Sequence, residues 1–274
     1  MMGIQLTDYD KKVYQEELAD FLPEKLVDCH IHLSLLDQII DDPENHKGLV
    51  TWPSLVAPDM SIEDMELSYR QMFPGKEVRA VLMGSPTCDL PKTNAYALEC
   101  ARSRGVPAFY CTRWNTPVEE IEKALQDGFC GIKPYLNNSP LYIPRNEVRI
   151  FDFLTPEHMA YMDKVGGVVM LHIPRALRLK DPVNLAQMLE INDKYPHAKV
   201  IIAHVGRAYV EEDFGNAFEV LKDAKNLYYD FTAKCFSHAE HTKKAEASPL
   251  GELRLSLFQR YLFFTHLHWR TCAF

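Results

Sequence analysis

Short apolar runs alternate with segments of helical periodicity along most of the chain. The runs are largely continuous rather than alternating in polarity, which is typical of parallel strands buried on both faces. Eight of them are predicted to be strands: 25–33, 78–85, 107–114, 130–136, 167–174, 198–206, 227–233 and 261–266. Helical patterns lie between the strands, at 61–73, 92–104, 117–127, 156–164, 182–194, 209–223 and 249–259. This order constrains the fold more than any other feature of the sequence.

Eight strands with intervening helices predict an α/β fold of the (β/α)8, or TIM, barrel class. A doubly wound sheet is the alternative, but it usually has fewer strands, and no GxGxxG motif follows the first strand. Two long segments, 34–60 and 137–155, follow strands 1 and 4 and would lie where a barrel places its substrate contacts. We expect a single domain over 1–274, with an N-terminal extension at 1–24.

The bulk composition limits the partners of the chain. A formal charge of −8 and a pI near 5.8 argue against nucleic acid or an anionic membrane. Seven cysteines without CxxC spacing predict reduced, buried thiols rather than disulfides. The sequence has neither an apolar signal core nor an 18-residue apolar stretch. We therefore expect a cytoplasmic protein with a small-molecule substrate.

Histidines recur at the ends of the predicted strands. His30 and His32 close strand 1 and, being two residues apart, should lie on one face of it. His172 ends strand 5 and His204 ends strand 6. Strand ends of a barrel surround one cavity, and neutral imidazole is a common ligand of divalent metals. A single such histidine would more often be a hydrogen-bonded core residue, but four together predict a metal site.

Five motifs at these strand ends resemble the amidohydrolase superfamily, specifically the mononuclear amidohydrolase 2 branch of hydrolases and decarboxylases. They are DCHIHL (28–33), GIKPY (131–135), LHIPR (171–175), IIAHVGR (201–207) and YYDFT (228–232). The resemblance extends over residues 25–269 and implies that His30, His32 and His172 bind one divalent metal, zinc first, with manganese or iron as alternatives. It implies that His204 lies beside the metal and polarises a substrate carbonyl or handles a proton.

The same resemblance suggests substrate contacts. Arg175 and Arg207 are candidates to bind a carboxylate, because guanidinium pairs well with planar anions, and a salt bridge is the alternative for each. Lys133 either contacts substrate or is structural. Pro134 directly after it favours a site with one metal and a charged lysine over a site in which a carboxylated lysine bridges two metals. Trp52 could stack on a substrate ring or anchor its loop.

Two aspartates are expected to support the site rather than react. Asp230 in strand 7 is expected to be structural or to support the ligands. Asp28 is expected to orient a histidine or the following loop, since ligand histidines usually donate their other N–H to a partner.

The implied activity is hydrolysis of a small carboxylated or cyclic substrate by a metal-activated water. Non-oxidative decarboxylation is the alternative within this fold, because it would use the same strand-end residues. A degenerate, non-catalytic barrel that serves in binding is a further alternative. A barrel that forms a Schiff base at Lys133 would leave the four histidines unexplained.

The last predicted strand departs from the family pattern. The family usually has G-[ST]-D-x-P-W there, with the aspartate as base and metal ligand, whereas residues 264–269 read FTHLHW. Either His266 replaces the aspartate in these roles, or the C-terminal end is abnormal, with the last helix missing. Without that helix, homo-oligomerisation or the segment 8–22 would have to cover the outer faces of strands 1 and 8.

Overall fold

A computed structural model of the protein describes residues 6–44, 46, 59–208 and 211–230. The chain forms two compact units, Met1–Asn138 and Ser139–Phe274. The assignment of a single domain stays a prediction. Within the described residues, no helix is long and apolar enough to cross a membrane.

The described part of the first unit contains four parallel strands that pair in chain order. They are β1 (Lys25–Leu33), β2 (Glu77–Gly84), β3 (Ala108–Thr112) and β4 (Gly131–Pro134). The helices are α1 (Asp8–Val13), α2 (Ile62–Met72), α3 (Leu90–Arg104) and α4 (Val118–Gln126). A π-helical turn, Tyr14–Leu18, continues α1. Parallel neighbours need crossover connections, and helices supply them between successive strands here.

The second unit repeats the same alternation. Strand β5 (Val168–Leu171) pairs in parallel with β6 (Lys199–Ile202), which pairs in parallel with β7 (Leu227–Tyr229). The helices in its described part are α5 (Pro156–Val165), α6 (Pro182–Lys194) and α7 (Ala217–Leu221). Short 3₁₀ turns lie in the connections of both units, at Leu36–Gln38, Leu136–Asn138, Ile150–Asp152, Arg178–Lys180 and Glu211–Asp213.

Parallel strands in chain order, joined by helices, confirm the predicted α/β fold of the (β/α)8 barrel class. The first predicted strand, 25–33, has the observed bounds. The sixth was predicted to reach 206 but ends at Ile202, because the backbone leaves the extended conformation at His204. The eighth strand and the last helix, including its expected absence, lie outside the described residues.

Local sequence signals fix the ends of the helices. The Ser61 hydroxyl accepts the N–H of Asp64 at the start of α2, and Thr155 caps α5 in the same way. The carboxylate of Asp181 accepts two backbone N–H groups at the start of α6. Gly166, with φ +64°, ends α5 in the left-handed conformation that glycine adopts without steric cost.

The N-terminal segment docks at the end of the unit where β2 begins. The Lys76 ammonium, directly before β2, donates to the carbonyls of Ala19 and Leu22 at 2.6 and 2.8 Å. The Tyr14 hydroxyl donates to the carbonyl of Pro74 at 2.7 Å. These bonds place the segment at the amino-terminal end of the strand, opposite the end that carries the histidines.

The five cysteines in the described residues are free thiols, and four of them are buried: Cys29, Cys88, Cys100 and Cys111. Burial raises the pKa of Cys111 to about 12, so this thiol stays protonated at neutral pH. The prediction of reduced, buried cysteines is confirmed at these four positions, whereas Cys130, also expected to be buried, is partly exposed.

Gly84, the last residue of β2, lies directly against α3. A Cβ at this position would sit 2.5 Å from both Cγ2 and Oγ1 of Thr93. Threonine is β-branched and stiff at χ1, so it cannot rotate away without cost. The close approach of strand and helix therefore requires glycine here.

Replacing Gly84 with Ala should lower the free energy of unfolding by about 1–3 kcal/mol, the usual cost of overpacking. Urea denaturation of the G84A variant measures this loss. The double variant G84A/T93A removes the two atoms that would lie 2.5 Å away, so it should lose less than the sum of the two single variants. Strictly additive losses would contradict the proposed contact.

Candidate functional site

The end of β1 carries a β-bulge next to its histidines. The pairing of β1 with β2 shifts register between Asp28 and Ile31, where one extra residue is inserted into β1. A bulge leaves backbone groups without ladder partners. The Asp28 carboxylate accepts the His30 backbone N–H at 2.9 Å, and its other oxygen accepts the Tyr69 hydroxyl at 2.9 Å. Burial, together with this carboxylate, holds the pKa of Tyr69 well above its ordinary value.

The His30 and His32 rings are neighbours, with centroids 5.2 Å apart. His30 is buried, and its Nε2 lies 3.1 Å from the Nζ of Lys133. Lys133 belongs to β4 and is fully buried. Its ammonium also lies 5.4 Å from the ring centroid of Tyr135, a cation–π distance. A lysine, a tyrosine and two histidines thus meet at the strand ends of the first unit.

Backbone geometry determines the tautomer of His32. Its Nδ1 lies 2.9 Å from the carbonyl oxygen of Gly84, which can only accept, so Nδ1 carries the proton. Nε2 then carries the lone pair that a metal needs. The Tyr135 hydroxyl lies 2.9 Å from Nδ1 and 3.3 Å from Nε2 of the same ring. Burial raises the pKa of Tyr135, so its phenol stays protonated. Sequence reasoning quoted Tyr135 within GIKPY but gave it no role.

In the second unit, His172 and His204 form a pair. Their Nε2 atoms are 3.0 Å apart and their ring centroids 4.9 Å apart. Two nitrogens that bind one tetrahedral zinc ion lie about 3.3 Å from each other, so this spacing suits two ligands of a common cation. Among the described histidines, His30, His172 and His204 could serve as metal ligands.

His204 begins a turn with an unusual backbone. Four consecutive residues have positive φ: His204 (+55°), Val205 (+49°), Gly206 (+62°) and Arg207 (+59°). The left-handed region costs a non-glycine residue about 1–2 kcal/mol, and a β-branched residue is rarely found there. Asp230, fully buried after β7, accepts the His204 backbone N–H with its carboxylate at 2.9 Å. Asp230 therefore supports His204, in line with the role expected for it.

The predicted arginines have different surroundings. Arg175 donates from Nε to the carboxylate of Asp181, 3.1 Å away, which is the salt bridge considered as its alternative role. Arg207 and Arg145 are both half-buried. The pKa of Arg145 is lowered first by its burial and second by the positive charge of Arg207. Sequence reasoning missed Arg145, and the only available signal was its position in the long loop 137–155. Trp52 and His266 lie outside the described residues.

The family of the chain follows from its sequence. The amidohydrolase family model (Amidohydro_2) matches residues 27–252. The chain therefore belongs to the amidohydrolase family, as the strand-end motifs indicated. Among curated proteins, none matches.

The chain is also similar to several solved structures. Amidohydrolase 2 from Bifidobacterium longum subsp. infantis is 18% identical, with a TM-score of 0.53 over 89% of this chain and 93% of its own. A probable 2-pyrone-4,6-dicarboxylic acid hydrolase from Acinetobacter baumannii is 18% identical, with a TM-score of 0.49 over 76% of this chain and 70% of its own. A 2,6-dihydroxybenzoate decarboxylase from Rhizobium is 14% identical, with a TM-score of 0.45 over 76% and 80%.

Asp28 is expected to be the main support of the bulge. The Asp28→Ala variant should lose about 2–4 kcal/mol of unfolding free energy, because it leaves the His30 N–H and the Tyr69 hydroxyl without their acceptor. Tyr69→Phe removes only one of these bonds and should cost about 1–2 kcal/mol. Chemical denaturation of both variants measures the difference. Equal losses would show that the carboxylate does not hold the His30 backbone.

Proposed function

We propose that this chain is a metal-dependent hydrolase that acts on a small carboxylated or cyclic substrate. The main support is its membership of the amidohydrolase family, combined with histidines at the carboxyl ends of β1, β5 and β6. The proposed compartment is the cytosol, since the described cysteines are free thiols.

The donor set suits a borderline divalent ion such as zinc, with manganese and iron as alternatives, because it offers neutral imidazole nitrogens. We assign His30, His32 and His172 as ligands, as the family resemblance implies. His204 is the alternative to His32, because its Nε2 lies 3.0 Å from that of His172. The Gly84 carbonyl supports the assignment of His32, since it leaves the lone pair on Nε2. Such an ion, when bound, polarises a substrate carbonyl and lowers the pKa of its water to about 7.

The remaining proposed roles belong to side chains of the protein. His204 handles a proton or polarises the reacting carbonyl, and the proximity of its Nε2 to His172 supports a place at the reacting centre. His266 is assigned to proton transfer, in the position where relatives carry an aspartate. Lys133 and Trp52 are assigned to substrate contacts.

Arg207 and Arg145 are assigned to the substrate carboxylate. Two half-buried guanidinium groups close enough to repel each other gain stability from an anion between them, and planar carboxylates pair well with guanidinium. Arg175 is the weaker candidate, because Asp181 already accepts from its guanidinium.

The metal assignment is tested by metal analysis of the purified chain. The wild type should hold about one ion per chain, whereas His30→Ala and His172→Ala should hold far less, since each removes an imidazole ligand. His197→Ala is the matched control, because His197 is an exposed histidine in the same unit as His172. A wild-type chain that retains no zinc, manganese or iron after reconstitution would overturn the proposal.

The reaction class is tested with the metal-loaded chain on two kinds of substrate. Ring opening of lactone or pyrone carboxylates indicates the proposed hydrolysis, and CO₂ release from hydroxybenzoates indicates decarboxylation instead. Turnover that is lost in His172→Ala but kept in His197→Ala assigns the activity to this site. Metal binding without either reaction would favour the non-catalytic barrel.

The arginine assignments predict a kinetic difference. Arg207→Ala and Arg145→Ala should each raise KM for a carboxylated substrate by about 10- to 100-fold, with a smaller effect on kcat, because each removes a charge-assisted bond to a bound group. Arg175→Ala should act on stability through the lost Asp181 pair. Steady-state kinetics and denaturation of the three variants make the comparison. A KM effect confined to Arg175→Ala would reverse the assignment.

A further inference from the structure

The left-handed turn His204–Arg207 must be stabilised by contacts with residues outside it, because three of its four residues carry side chains that disfavour this backbone conformation. Gly206 alone adopts it freely, and it is also sterically required. A Cβ at Gly206 would lie 2.7 Å from Cδ1 of Leu179 and 3.0 Å from Cδ1 of Ile173. Packing against these side chains excludes a bulkier residue, but it does not satisfy the backbone N–H groups at the start of the turn.

Asp230 satisfies these groups with two separate acceptors. Its carboxylate accepts the N–H of His204 at 2.9 Å, and its main-chain carbonyl accepts the N–H of Val205 at 2.9 Å. Asp230 is itself anchored on β6, since its own N–H donates to the carbonyl of Ile202 at 3.2 Å. It therefore connects the end of β7 to both the last residue of β6 and the first two residues of the turn.

Asp230 makes its hydrogen bonds to the backbone at the start of the turn. Its carboxylate lies 3.9 Å from Nδ1 of His204, too far for a hydrogen bond but within ion-pair distance when the imidazole is protonated. In an extended strand, residues three apart lie on opposite faces. The turn instead leaves Nε2 of His204 3.0 Å from that of His172, and places Arg207 near Arg145.

We propose that Asp230 is a positioning residue: by holding the left-handed turn, it presents His204 and Arg207 for the reaction. This inference rests on the proposed function, in which both side chains take part. The carboxylate itself touches neither reacting atoms nor metal in this scheme. Its negative charge strengthens the bond to the backbone N–H.

The direct test is amide hydrogen exchange in the full-length chain. The rate for the His204 amide is divided by that for the amide of Val200, a residue of β6 whose N–H donates to the carbonyl of Asn226. In Asp230→Ala this ratio should rise about 10- to 100-fold, as expected for the loss of a charge-assisted bond. Asp230→Asn keeps an acceptor oxygen and should show a clearly smaller rise.

Asp163→Ala is the matched control. Asp163 also accepts two backbone N–H groups in this unit, those of His197 and Ala198, which directly precede the start of β6. The Asp163→Ala variant should be less stable than the wild type, but its ratio of His204 to Val200 amide exchange rates should be unchanged. The ¹⁵N resonances of the His204 ring should move in Asp230→Ala and stay in place in Asp163→Ala.

Turnover separates this inference from the proposed function. If the wild type is active, Asp230→Ala should lower kcat at least about tenfold, with Asp230→Asn recovering part of it. An unchanged exchange ratio, unmoved ring resonances or an unchanged kcat would each overturn the positioning role. If the wild type has no activity, the proposed function fails, while exchange and ring resonances still decide whether Asp230 holds the turn.

Discussion

A carboxylate that accepts the backbone N–H of a histidine is the interaction on which the histidine-bearing strand ends of each unit depend. In the first unit Asp28 binds the N–H of His30 at a bulge, and in the second unit Asp230 binds the N–H of His204 at a left-handed turn. At both places the regular ladder is interrupted, so an uncompensated donor would cost stability. The backbone can therefore depart from strand geometry at these histidines while the N–H groups of His30 and His204 remain hydrogen-bonded.

The two units use side chains of different character around their histidines. The first has a buried lysine and two buried tyrosines, whereas the second has half-buried guanidinium groups and an ion pair, Arg175–Asp181. Within the second unit the two kinds of arginine are separated by their partners. Arg175 pairs with the carboxylate of Asp181. The pKa of Arg145 is lowered by burial and then by the positive charge of Arg207.

The sequence predicted the parts of this molecule that depend on local pattern. Continuous apolar runs identified the seven described strands, because burial on both faces demands such runs. The histidines were found because each lies within, or one or two residues after, the carboxyl-terminal end of a strand. The left-handed turn at His204 was missed, since only Gly206 signals it and the hold comes from Asp230, 26 residues further along. The proximity of Tyr135 to His32 and of Arg145 to Arg207 was not predicted, because each pair is distant in sequence.

The bond between His32 and Gly84 has an evolutionary consequence. The acceptor is a main-chain carbonyl, so no substitution at position 84 can delete it. The tautomer of His32 is thus encoded by the path of the backbone and not by a partner side chain that could drift. Thr93 in turn keeps position 84 free of a Cβ. Substitutions at position 84 are expected to destabilise the fold and so to be eliminated by selection. The hydrogen bond to the His32 imidazole is therefore expected to persist as the sequence diverges.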